Sequence, residues 1–127
     1  MSVYEATVER SFRAGHALSL AGGGVEDPHE HTWYVTASFR SEGLQEPMGV
    51  VIDFIEADRA LEAVAGGFDG TDLNASPAFA GVSPSAERVA ERIAIELDRR
   101  LDAGGRLYCV TVTEAPGCRA AFYPARA

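Results

Sequence analysis

Three histidines are present in the chain, and their spacing is the first feature that could do chemistry. His29 and His31 stand two apart in Pro28-His29-Glu30-His31-Thr32-Trp33-Tyr34-Val35-Thr36-Ala37-Ser38-Phe39, a run whose aromatic and β-branched residues read as a strand. Strand side chains alternate between faces, so these two imidazoles share one. His16 follows an earlier strand-like run. Three imidazoles from two neighbouring strands can fill three corners of a tetrahedron and leave the fourth open, the arrangement of catalytic rather than structural zinc. The alternative is a half-exposed His pair with no metal; gathering every histidine at one place favours zinc. Glu114 is the fourth group of interest. It falls on the apolar face of a late alternating run, where a carboxylate is costly unless paired. A ligand with an amidine- or guanidine-like N–H pair would satisfy both its oxygens, as would an internal Arg13 or Arg119.

The elements that must position these groups can be read from periodicity. Val3 to Phe12 alternates, with Tyr4, Ala6, Val8 and Phe12 on one side and Glu5, Thr7, Glu9 and Ser11 on the other; Arg10 breaks the apolar face. Residues 17–28 form a loop around Gly22-Gly23-Gly24. Glu26 and Asp27 would repel phosphate there, so the glycines suit a flexible lid better than a phosphate cradle. The second strand runs from about His29 to Phe39. After a short β run, Asp53 is placed to cap a helix with Phe54, Ala57, Leu61, Val64 and Ala65 on its buried stripe, ended by Gly66-Gly67. Residues 68–74 are turn-rich and residues 75–82 irregular. Ser83 as cap and Pro84 at the first helical position begin a second helix with Val89, Ile93, Leu97 and Leu101 buried, ended by Gly104-Gly105. Leu107 to Glu114 alternates, placing Tyr108, Val110, Val112 and Glu114 on one face, and Ala120 to Tyr123 can extend a last strand. The order β-β-(β)α-α-β-β predicts an α+β fold, with both helices on one face of an antiparallel sheet and the other face left to solvent or a second subunit.

The 127 residues suit a single domain over 1–127, with 46% hydrophobic and 24% charged residues. A net charge of −8 argues against nucleic acid or an anionic membrane as partner; the expected partners are a small-molecule substrate and further copies of the chain. No apolar run reaches transmembrane length, and the first residues show no basic-then-apolar leader pattern. Cys109 and Cys118 form no C-x-x-C motif; two free thiols in a cytoplasmic protein are expected.

The chain resembles the 6-pyruvoyl tetrahydropterin synthase and 6-carboxytetrahydropterin synthase family nearly end to end. Phe12-Arg13-Ala14-Gly15-His16 resembles F-x-A-A-H, and His29-Glu30-His31 resembles H-G-H. Gly49-Val50-Val51-Ile52-Asp53-Phe54 resembles G-M-V-x-D-F, and Phe68-Asp69-Gly70-Thr71-Asp72-Leu73-Asn74 resembles L-D-H-x-x-L-N. Ser83-Pro84-Ser85-Ala86-Glu87-Arg88-Val89-Ala90 resembles N-P-T-x-E-N-x-A, and Val112-Thr113-Glu114 resembles V-x-E-T. The resemblance implies the tunnelling fold: a four-stranded antiparallel sheet with two helices on one face, three subunits closing into a barrel, two trimers stacking as a hexamer, and active sites at subunit interfaces. It implies zinc held by His16, His29 and His31, and Glu114 anchoring the amino-pyrimidine edge of a pterin. It further implies lyase chemistry in which a cysteine thiolate abstracts a proton, an Asp-His pair relays protons and triphosphate is eliminated.

Two departures fall on that chemistry. The thiolate position, four residues before the first His of H-G-H, is Val25, and the relay-histidine position after Asp69 is Gly70; neither moves a proton. Glu30 and Ala115 are smaller changes. The expected function is therefore a zinc-dependent lyase-like enzyme acting on a pterin or similar heterocycle with re-sited acid–base groups. Glu26 is the nearest titratable side chain to the lost thiol, with Asp27, Glu30 and Cys118 as rivals; strand alternation turns Glu30 away from the metal. Asp69 carries the family's Asp role, or else caps the turn before Leu73, as Asp72 does also. The alternatives are a zinc- and ligand-binding homologue without turnover, and a purely structural assembly. The loop's acidic pair argues against a triphosphate.

Overall fold

Two long strands set the frame of the computed structural model, which describes residues 1–125. β1 (Tyr4–His16) and β2 (His29–Ser41) pair antiparallel along their full 13 residues, from Tyr4 opposite Ser41 to His16 opposite His29. Then come α1 (Phe54–Phe68), β3 (Thr71–Asp72), 3-10 turns at Leu73–Ala75 and Pro77–Phe79, α2 (Ala86–Arg100), β4 (Leu107–Ala115) and β5 (Cys118–Phe122). The sheet order is β3-β1-β2-β4-β5. All neighbours are antiparallel except β3, which lies parallel to Ala14 and Gly15. The fold is α+β as expected, with a fifth strand too short for sequence periodicity to show.

The alternation in sequence becomes two unlike faces. Val8, Phe12, Ala14, Trp33, Val35, Ala37, Phe39, Val110 and Val112 are buried beneath the helices. The reverse face carries Thr7 and Ser38, whose hydroxyls lie 3.3 Å apart, with Thr36 and Thr111 nearby in register. Leu61 from α1 and Val89, Ile93 and Leu97 from α2 complete the core. Each such side chain contributes roughly 1.5–3 kcal/mol of transfer free energy.

Several boundaries differ from expectation for local reasons. β1 continues past Phe12 to His16 because its partner strand carries hydrogen-bonding groups that far. α1 passes through Gly66-Gly67 to Phe68, whose ring is held against Phe12 and Phe79 at 5.7 and 5.9 Å. The stop is Gly70, in left-handed conformation at φ 74°. Asp53 caps α1 through Ile55 N–H, as expected, but Phe54 is exposed rather than buried. α2 begins later than expected, with Ser85 as its cap; Ser83 instead accepts the Ser19 N–H at 3.0 Å, and Pro84 is buried outside the helix. The same helix ends at Arg100, ahead of Gly104-Gly105. Tyr108 is the extra residue of a bulge opposite Ser38 and Phe39, which turns its ring to the reverse face under the Arg40 guanidinium at 3.7 Å.

Arg10, the charge on the apolar side of β1, reaches α1. Its guanidinium forks onto Asp58 (Nε to Oδ1 2.9 Å, Nη2 to Oδ2 2.6 Å) and meets Glu62 at 2.9 Å. The hydrogen bonds from Arg10 hold the Asp58 carboxyl below its ordinary 3.8. A carboxylate with a depressed folded-state pKa adds stability above its unfolded pKa, and that increment is lost as pH falls through the folded value. Arg10→Met should therefore lower the urea midpoint at neutral pH, and the gap to wild type should close as pH drops below about 3.9. A gap unchanged at lower pH would leave Arg10 a packing role alone.

Candidate metal centre

The three histidines meet because β1 and β2 pair to their ends. His16 stands opposite His29, and Ala14 opposite His31. The period of two puts His29 and His31 on the helix-covered face with His16 across from His29; ring centroids lie 4.5 Å (His29–His31), 4.6 Å (His16–His29) and 5.5 Å (His16–His31) apart. Trp33, fully buried, is the floor beneath them. Its ring lies 4.9 Å from His16, and its indole N–H donates to the Ala14 carbonyl at 3.1 Å.

Glu114 arrives from β4 by alternation, on the same buried face as Val110 and Val112. The β4–β5 ladder shifts register at it, between Thr113 opposite Arg119 and Ala115 opposite Cys118. Its Oε1 lies 2.5, 3.4 and 3.9 Å from the Nε2 atoms of His16, His31 and His29. The expected arginine partners do not take it. Arg13 is turned to the reverse face, where it pairs with Glu30.

The hydrogen bonds assign the tautomers. His16 Nδ1 lies 2.8 Å from the Pro84 carbonyl and His29 Nδ1 lies 3.1 Å from the Asp27 carbonyl. A carbonyl only accepts, so both Nδ1 atoms carry hydrogen and neutral rings present lone pairs at Nε2. Burial lowers the His31 pKa and outweighs the opposing pull of Glu114, so that the His31 ring favours the neutral form. The His16 side chain is completely buried, and its Nε2 makes no hydrogen bond despite the short approach of Glu114, whose direction is wrong for one. A buried polar atom left without a partner is uncommon. A shared cation would satisfy it. The ligand atoms of His16, His29, His31 and Glu114 lie within 4.8 Å of one another. Zinc bonds of about 2.0–2.2 Å at tetrahedral angles give ligand spacings of roughly 3.3–3.5 Å, within the observed spread. The donor set, neutral imidazoles plus carboxylate, suits zinc.

Around this centre the structure distributes the other expected residues. The glycine-centred loop folds back on itself, with Ser19 bridging to Val25. Glu26 sits at the rim. Its N–H donates to the Leu18 carbonyl, its Oε1 accepts the Leu18 N–H at 2.9 Å, and that oxygen lies 3.8 Å from His29 Nδ1. Val25 is 62% exposed, aimed away. Asp27 offers its carbonyl to His29, and its side chain is exposed. Asp69 is not among the clustered ligand atoms; its Oδ1 accepts the Arg13 N–H at 2.9 Å. Asp72 caps the turn at Asn74, as its turn-capping reading had it. Cys118 is an exposed free thiol at the start of β5, and Cys109 is buried and free.

Two supports were not foreseen from sequence. Asn74 clamps the residue after His16 with both ends of its amide, Oδ1 accepting the Ala17 N–H at 2.7 Å and Nδ2 donating to the Ala17 carbonyl at 2.8 Å. The Pro84 carbonyl orients His16 from 68 residues away. The spacing of Leu73-Asn74 in a turn hinted at the first; nothing local signals the second.

Comparison with known proteins agrees with this frame. The family model for 6-pyruvoyl tetrahydropterin synthase matches residues 5–125. The fold is similar to that of the Caenorhabditis elegans 6-pyruvoyl tetrahydropterin synthase, with a TM-score of 0.85, 20% identity and 98% of each chain covered. It is similar also to the Plasmodium vivax 6-pyruvoyl tetrahydropterin synthase, with a TM-score of 0.81, 20% identity and 98% and 99% coverage. A variant of that enzyme in which a catalytic glutamate is replaced by alanine gives a TM-score of 0.80 at 21% identity, with 98% and 99% coverage. No curated protein sequence matches the chain. The subunit thus has the tunnelling fold, and over nearly its whole length the chain belongs to the 6-pyruvoyl tetrahydropterin synthase family.

Proposed function

We propose that the protein is a zinc-dependent, lyase-like enzyme acting on a pterin or a similar small heterocycle, with its acid–base work moved to residues other than the family's thiolate and histidine. The observation that carries the metal is the buried, unpartnered Nε2 of His16 aimed at three further ligand atoms. Zinc held by His16, His29 and His31 would act as a Lewis acid toward the substrate side chain. The remaining work belongs to side chains. Trp33 excludes water from beneath the site, and Glu114, with a carboxylate only 23% exposed, is the group to receive a ring's N–H pair. Glu26 is the proton acceptor. Leu18 holds one of its oxygens in place and leaves the other free among the described residues, at the rim beside His29. The catalytic glutamate of the Plasmodium vivax enzyme supports a carboxylate in this role. Asp69, with one oxygen held by Arg13, is the rival. The second reading is a zinc- and ligand-binding homologue without turnover; Gly70 at the relay position favours it, since no side chain there moves protons.

The assembly we infer is a trimer closing its sheets into a barrel, two of which stack as a hexamer. The outer edge of β1 is unpaired from Tyr4 to Arg13 among the described residues, and exposed Phe54 and Ile55 flank it. An unpaired edge of this length is normally covered. No described helix is long and apolar enough to cross a membrane; we place the protein in the cytoplasm.

Purified protein should carry about one zinc per chain, and titrating Co²⁺ into metal-free protein should quench the emission of its single tryptophan, Trp33. His29→Ala with His31→Ala should abolish both. Full metal occupancy in that double variant would remove the site. The protein should be nearly inactive on dihydroneopterin triphosphate, and Glu26→Gln should lower whatever turnover of a pterin is found on the order of 10²–10⁴-fold with metal still bound. An unaffected rate would move the base to Asp27 or Asp69; metal and pterin binding with no turnover in wild type would favour the second reading. Light scattering should report three or six copies, and a stable monomer would exclude a shared site.

A further inference from the structure

We infer that Glu114 is a removable fourth metal ligand: it closes the centre when no substrate is present and leaves it when a ring with an adjacent N–H pair arrives. This rests on the three-histidine metal reading above and adds to it a coupling between ring recognition and access to the metal. Three observations carry it. Oε1 of Glu114 is the common neighbour of all three Nε2 atoms, at distances that bracket the spacing of ligands around one zinc. A carboxylate placed only to hold a distant ring would have no reason to lie inside the imidazole cluster. The residue also lies one position from the end of β4, where the ladder to β5 is irregular, so the backbone that carries it is held less tightly than the middle of the strand. Finally, no arginine fixes it: Arg13 is engaged by Glu30 on the reverse face, and Glu114 has no arginine ion pair among the described residues.

The exchange balances. The carboxylate gives up a dative bond, keeps its negative charge and takes two N–H donors of the incoming ring in place of the cation. The vacated position is then open to an oxygen of the substrate. Turning both Glu114 oxygens toward the ring's N–H pair would draw Oε1 out of the imidazole cluster, and it is this displacement, not a shortage of lone pairs, that makes the two states alternate. A centre without substrate is thereby four-coordinate and closed to water.

Co²⁺ in place of zinc reports coordination through its visible absorption. Metal-free wild type loaded with Co²⁺ should show a four-coordinate spectrum that changes when unsubstituted pterin is added. Glu114→Ala should show the changed spectrum already without pterin, respond little to it, and bind Co²⁺ at least about 10-fold more weakly, the lower bound for losing even an outer-shell partner. Glu114→Gln, nearly the same shape, is the second variant should the alanine chain fail to fold. Identical spectra and affinities in wild type and variants would overturn the inference alone, because the histidine site would stand. A wild-type spectrum indifferent to saturating pterin would overturn the exchange. Wild type that takes up no Co²⁺ would overturn this inference together with the metal reading.

Discussion

A completely buried imidazole that spends one nitrogen on a backbone carbonyl and leaves the other without a hydrogen bond is an expensive arrangement, and the site depends on it. His16 Nδ1 is tied to the Pro84 carbonyl at 2.8 Å, so Nε2 is left aimed at His29, His31 and Glu114. Removing an unpaired polar atom from water costs about 1–3 kcal/mol. A fold retains such an atom when something outside the polypeptide satisfies it. The surrounding structure then has to hold the ring still, and it does so from three directions: Trp33 below, Pro84 behind, and Asn74 gripping the backbone of Ala17.

The geometry of the cluster comes from two properties of sheets. Pairing β1 and β2 without a slip brings His16 across from His29, and the period of two adds His31 on the same face. A one-residue slip would leave His16 on the face opposite His29 and His31. The break in regularity is equally specific. At Tyr108 a bulge of β4 turns the ring out toward Arg40, although alternation alone would put it beside Val110. Beyond that bulge β4 keeps its period, so Val110, Val112 and Glu114 share the buried face, and the register shift at Glu114 falls on the β5 side.

Sequence reasoning reached what depends on short-range periodicity and missed what depends on distant backbone. The histidine pair, the two faces of β1 and β2, the helix stripes and the Asp53 cap follow from spacing alone, and the structure reproduces them. The resemblance to the tetrahydropterin synthases added the fold that spacing cannot give. Boundaries failed where tertiary contacts overrode a local stop. Gly66-Gly67 did not end α1 because Phe68 is locked between Phe12 and Phe79. Ser83 and Pro84 look like a helix start, yet both face the metal side instead, one holding Ser19 and the other His16. β3 has two residues and no pattern to detect. The register shift at Glu114 is likewise invisible in a run that alternates cleanly in sequence.

Gly70 occupies the position that the resemblance assigns to a relay histidine, and its backbone suits glycine. At φ 74° it adopts a backbone that side chains rarely tolerate, and its N–H donates to the Arg13 carbonyl at 2.7 Å. A histidine placed there would be strained, so the turn itself is built for glycine. Asp69, just before it, spends an oxygen on the Arg13 N–H. Together they fasten the end of α1 to β1 three residues from His16. The segment that the resemblance assigns to a proton relay here braces the strand that carries His16. Across the cluster, the Leu18 N–H fixes Glu26 beside His29. In the function we propose, the edge of the site at Gly70 is therefore scaffold, and the titratable group lies on the opposite edge.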